Sequence, residues 1–97
     1  MTTFKAHIQK LKRDGESSLY GYQLYAGDDT FAEEVGFSRI ADALRELGAE
    51  VGPNQAIEIS YSRVVFGTFK GSELVELNEE IADIGMERVS ALWDALF

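Results

Sequence analysis

The chain has 97 residues, 45% of them hydrophobic, with seventeen acidic side chains against nine basic ones and a formal net charge of −8. A single domain over residues 1–97 suits that length, and the apolar content argues against an intrinsically disordered chain. The acidity disfavours direct binding to DNA, RNA or anionic membranes, and the absence of cysteine excludes disulfides and thiolate metal sites.

The opening stretch, MTTFKAHIQKLKRDG, is charged and alternating and lacks the apolar stretch of a signal peptide. No apolar run approaches the ~20 residues needed to cross a bilayer, and the lack of cysteine fits a reducing cytoplasm, the expected compartment. Phe4, Ala6 and Ile8 alternate with Lys5, His7 and Gln9, which predicts a strand. Asp14-Gly15 supplies a hairpin turn, and the return strand, roughly 17 to 26, carries Tyr20, Tyr22 and Leu24 on one side. Gly21 within it marks a bulge or a close backbone approach.

Residues 27 to 36 have no clean period and read as a loop or a short irregular turn of helix. A helix follows: Phe37, Ile40, Ala41, Leu44 and Leu47 recur on one face, with Ser38 as the expected cap and Gly48 as the expected end. Its outward side carries Arg39, Asp42, Arg45, Glu46 and then Glu50. GPNQ, residues 52 to 55, reads as a loop, and AIEISYSRVVFGTF as one long bent strand or two strands.

Residues 72 to 97 are mainly helical. Either Ser72 caps the whole segment, or SELVEL pairs as a strand and Asn78 caps a shorter helix whose first turn holds Glu79 and Glu80. Leu77, Ile81, Ile84, Val89, Leu92 and Leu96 form the expected buried stripe. The expected core contains Phe37, Ile40, Leu44, Leu47, Ile57, Ile59, Ile81, Leu92 and Trp93. The element order ββ-α-β(β)-α predicts an α+β domain, with two helices on one face of an antiparallel sheet of three to four strands.

Catalytic chemistry finds little support. His7 is the only histidine and lies on a strand, and no nucleophile elbow or phosphate-binding glycine motif occurs. No cofactor is implied. Asp28, Asp29, Glu33 and Glu34 could supply oxygen ligands to a divalent cation, but their order is not that of a calcium loop.

The placement of charge says more. DDTFAEE, residues 28 to 34, sets Asp28, Asp29, Glu33 and Glu34 around a single aromatic, Phe31. Glu73, Glu80, Glu87 and Asp94 recur every seven residues, with Glu76 and Asp83 between them, and one continuous helix would line all six along one side. A solvated helix face explains such a row. A merely soluble face, however, mixes both signs, and Arg88 is the only basic residue between Ser72 and Phe97. Lys5, Lys10, Lys12 and Arg13 gather instead in the first strand. One strongly negative face opposite a mixed one suits a basic protein surface as partner.

The opening MTTFKAHIQKLKRDGESSLYGYQLYAGDD, the length and the one-sided acidity resemble the small anti-CRISPR proteins of phages and mobile elements, closest those that block the type I-F surveillance complex. That resemblance implies a non-enzymatic inhibitor in the cytoplasm of a bacterial host. It would occupy the DNA-recognition surface of Cas subunits by DNA mimicry. The family shares no common motif or fold, so contact residues are assigned from charge alone: Asp28, Asp29, Phe31, Glu33 and Glu34, with Glu80, Asp83 and Glu87. Two other readings stand beside it. One is an acidic adaptor or antitoxin-like module bound to a basic protein. The other is an enzyme subunit with a carboxylate-held divalent metal.

Overall fold

Alternation makes Phe4–Leu11 a strand, β1, with Ala6 and Ile8 buried on one side and Lys5, His7 and Gln9 turned to the other. A computed structural model describes residues 4–11, 19–27 and 29–96, so the expected Asp14-Gly15 turn lies outside the described residues. β2, Leu19–Ala26, pairs antiparallel to β1 and sets Leu24 beside Ala6 and Tyr22 beside Ile8, so one side of the pair is apolar from Phe4 to Ile8.

The stretch expected to be a loop is a third strand. β3, Asp29–Phe37, runs antiparallel to β2 with two register shifts, between Tyr20 and Gly21 and between Leu24 and Tyr25. Those irregularities break the two-residue period that would have revealed it. Gly21 does mark a close approach, since a Cβ there would stand 2.7 Å from the Glu34 carbonyl oxygen.

α1 spans Ile40–Val51, and its buried residues Ile40, Ala41, Ala43, Leu44 and Leu47 follow the expected helical face. Its ends differ from expectation. Arg39 is the N-cap, and the Ser38 hydroxyl reaches the Asp42 side chain at 3.5 Å. Gly48 lies inside the helix, packed on α2, where a Cβ would stand 2.5 Å from the Gly71 carbonyl oxygen. Gly52, at φ 92°, ends the helix.

Two strands follow, β4 at Ala56–Tyr61 and β5 at Val64–Lys70. Ser62 and Arg63 join them in the left-handed conformation of a tight hairpin turn. α2, Gly71–Glu76, is helix rather than strand, and the Lys70 backbone N–H donates to the Glu73 carboxylate at 2.9 Å. Leu77 then leaves helical geometry, and Asn78 closes the elbow by donating to the Val75 carbonyl oxygen at 2.8 Å. α3, Asn78–Leu96, starts in a new direction, so Glu73 and Glu76 do not share a helix with Glu80.

The sheet has five strands in the order β3-β2-β1-β4-β5. β1 and β4 are parallel and the other pairs antiparallel, so the sheet is mixed rather than wholly antiparallel. The chain fills one side of β1 with β2 and β3, then crosses through α1 to reach the free side of β1 in parallel. α1 packs over β2 and β3, α3 over β5, and α2 against α1. All three helices thus cover the same side of the sheet, where Ala6, Ile8, Tyr22, Leu24, Ile57, Ile59 and Phe66 meet Leu44, Leu47, Leu74 and Ile81.

The expected core holds for Ile40, Leu44, Leu47, Ile57, Ile59 and Ile81, while Phe37 is half-buried. It fails along the rest of the last helix. Val89 is buried, but every residue from Ser90 to Ala95 is exposed, with Leu92 41% and Trp93 47% accessible. Arg88 donates to the Phe66 carbonyl oxygen near the start of β5, so the last turns of α3 run past the end of that strand. Ile84 lies over the outer edge of β5 and Leu77 on the elbow, and both are exposed.

Candidate acidic interaction surface

The three helices carry ten carboxylates and two arginines, which is the whole of the formal excess of −8. Strands, loops and termini share the other seven acids and seven bases and balance. The helical layer is therefore the negative side of the molecule.

The described cations near that layer are already engaged. Arg39, just before α1, donates to Asp42 at 3.2 Å and to Glu79 at 2.9 Å, tying the start of α1 to the start of α3. The hydrogen bond from Arg39 holds the Asp42 carboxyl below its ordinary pKa, against a smaller opposing effect of desolvation. Arg45 approaches Asp42 at 3.9 Å. One Arg88 nitrogen is bound to the Phe66 carbonyl oxygen. Glu46 and Glu50 of α1, and Glu80, Asp83, Glu87 and Asp94 of α3, are exposed.

Residues chosen from sequence divide between two places. Glu80, Asp83 and Glu87 lie on α3, where Asp83, Glu87 and Asp94 border one shallow groove with Met86, Ser90 and Ala91. Asp28 lies outside the described residues. Asp29 and Phe31 belong to β3, with Asp29 opposite Ala26 and Phe31 at the second register shift. Glu33 pairs with Gln23 and Glu34 with Tyr22, so the pleat sends their side chains to opposite faces.

β3 and β5 are opposite edges, about 19 Å apart over four strand spacings, so β3 and α3 are not one patch. The acidity of β3 also has a structural role. An edge strand exposes unpaired backbone groups, and charged side chains along it hinder pairing with another chain.

Glu46 and Glu50 of α1, which were not among the residues assigned from charge, act with Glu34 on the Tyr22 hydroxyl through their charge. That hydroxyl is buried without a hydrogen-bond partner, and Tyr22 stacks on Phe37 with ring centroids 5.9 Å apart. Burial first, then the charges of Glu50, Glu34 and Glu46, push its pKa up to about 12. The signal for these two acids was present in their i, i+4 spacing on the outward side of α1.

Among the described residues no three or more His, Asp or Glu side chains are grouped to hold a metal ion. No helix among them is long and apolar enough to cross a membrane. No family model, curated protein or solved structure matches the chain.

Proposed function

We propose that this chain is a non-enzymatic inhibitor that binds the basic DNA-recognition surface of another protein by DNA mimicry. The resemblance noted above suggests a type I-F Cas surveillance complex as that target. One observation carries the reading: the excess of negative charge lies on the helical layer while the rest of the chain is balanced. Acids three or four apart on a helix stand ~5–6 Å from each other at Cβ, close enough to meet successive cations of a phosphate-binding groove. Sequestration of Arg39 by Asp42 and Glu79 keeps the layer from presenting that cation to its partner.

Exposed Ile84 and Leu92 beside the acids favour a second reading, in which the chain is an acidic adaptor or antitoxin-like module making ordinary protein contacts. Both readings require salt-sensitive association, so competition for the site separates them. The experiment is a mobility-shift assay with labelled duplex and a guide-loaded complex, run in both orders of addition. Mimicry requires that this chain abolish duplex binding, that preloaded duplex exclude this chain, and that guide RNA stay bound. A ternary species carrying both duplex and this chain would defeat mimicry and leave the adaptor.

A further inference from the structure

With all helices on one side, no described element covers the other face of the sheet. We infer that this bare face is where two copies of the chain join. Its central row crosses all five strands as Glu33, Gln23, His7, Ser60 and Val65. The ends of β1 and β2 bring Leu11 beside Leu19 on the same face, and Val35 lies next to Gly21. Val35 is 60% and Val65 49% exposed, large values for β-branched residues on a sheet.

Charge selects the occupant. Among the described residues Lys5 and Lys70 balance Glu33 and Glu58 on this face, and Lys5 reaches Glu58 at 4.0 Å. A basic or acidic partner gains little from a neutral face. A second copy is repelled by the helical layer, which carries the excess charge, but not by the sheet.

Four polar side chains on the face are paired within it: Tyr25 donates to Gln23, and the His7 ring lies 3.2 Å from the Ser60 hydroxyl. Covering these pairs does not strip them of their hydrogen bonds. The area suits a weak, reversible dimer. Five strands at ~4.8 Å, each showing about six residues at ~3.3 Å, offer roughly 500 Å² per copy and about 1,000 Å² per pair, the size of a weak, reversible interface. Two sheets packed in this way point both acidic layers outward, so a pair would engage two basic partners at once.

Sedimentation velocity over a concentration series into the millimolar range tests this. The unmodified chain should pass reversibly from monomer to dimer. A V35K/V65K double variant should raise the dissociation constant at least about a hundredfold, because like charges would meet across the interface. Both positions are already exposed, so its thermal melt should stay close to that of the parent.

A second measurement does not depend on that variant. The chain lacks cysteine, so Gln9→Cys on the central strand offers one thiol to a short bis-maleimide and should give cross-linked dimer. Asp83→Cys on the helical layer should give none. A chain that stays monomeric at the highest concentration overturns the proposal. So does a dimer unaffected by V35K/V65K, or one cross-linked through Asp83→Cys instead of Gln9→Cys.

Discussion

The ring of Phe66 on β5 occupies the space that a Cβ on Gly85 of α3 would need. A bulge between Ile59 and Ser60 in the β4–β5 register turns Phe66 inward, and the missing side chain at Gly85 lets α3 settle on it. Gly85→Ala gains up to ~1 kcal/mol of helix propensity but forces the ring aside at ~1–3 kcal/mol. The net expectation is a loss in urea unfolding. Phe66→Leu in the same chain should recover part of it, and a double-mutant cycle measures the coupling.

Leu44 and Leu92 look alike in sequence, since each sits on the apolar stripe of a helix. The first is wholly buried and the second 41% exposed. Leu44→Ala should cost ~2–5 kcal/mol, and Leu92→Ala less than ~1 kcal/mol. Equal losses would mean that the last turns of α3 are covered in solution.

This contrast shows where the sequence was legible. Period located β1, β2 and α1, because each alternates or repeats against one continuous core, and β-branched and aromatic composition located the strands around Ser62. It could not say that β5 ends before α3 does, so Leu92 and Trp93 read as core. β3 was hidden for a different reason. Its residues from Glu33 to Gly36 face solvent at an edge, its register slips twice, and Gly36 interrupts it at φ 101°. Acidity was visible both as a count and as a row along the last helical segment. That β3 lies apart from that row, and that the row is broken at Leu77, emerges only from the sheet order and the elbow.

Tyr22 offers a test through pH. Its hydroxyl is buried and unpartnered, so Tyr22→Phe should change stability at neutral pH by less than ~1 kcal/mol, or raise it. The folded-state pKa of about 12 lies above the ordinary 10.0. Between those values the unfolded chain releases a proton that the folded chain keeps, so stability falls as pH rises. Chemical denaturation from pH 9 upward should show that fall in the parent. In Tyr22→Phe the fall should be shallower.

Asp42 acts at the other end of the scale. Its carboxyl is held low by Arg39, so its contribution to stability is full above the ordinary aspartate range. The contribution is lost as pH falls through the depressed folded value. Asp42→Asn should therefore flatten part of the acid limb of a pH–stability curve while leaving the alkaline limb unchanged. A parallel acid limb in the variant would show that the Arg39–Asp42 contact is not maintained in solution.

The decisive comparison for function sets α3 against β3. Reversing Glu80, Asp83 and Glu87 to lysine moves the formal charge from −8 to −2, while reversing Asp28, Asp29, Glu33 and Glu34 moves it to zero. If net charge alone governed binding, the β3 variant would lose more. If the helical layer makes the contact, the α3 variant loses more despite its smaller charge change. An expected loss of about a hundredfold or more matches reversed charge at a close interface. Glu80 lies in the first turn of α3, where lysine opposes the helix dipole by ~0.3–1 kcal/mol, so each variant's melt must accompany its titration. Isothermal titration against the basic target at two salt concentrations reads both quantities. The α3 variant should also show a weaker salt dependence, because three of the ten helical carboxylates have become cations. A larger loss in the β3 variant would move the contact to the edge strand, and full binding by both folded variants would remove the acidic surface from the mechanism.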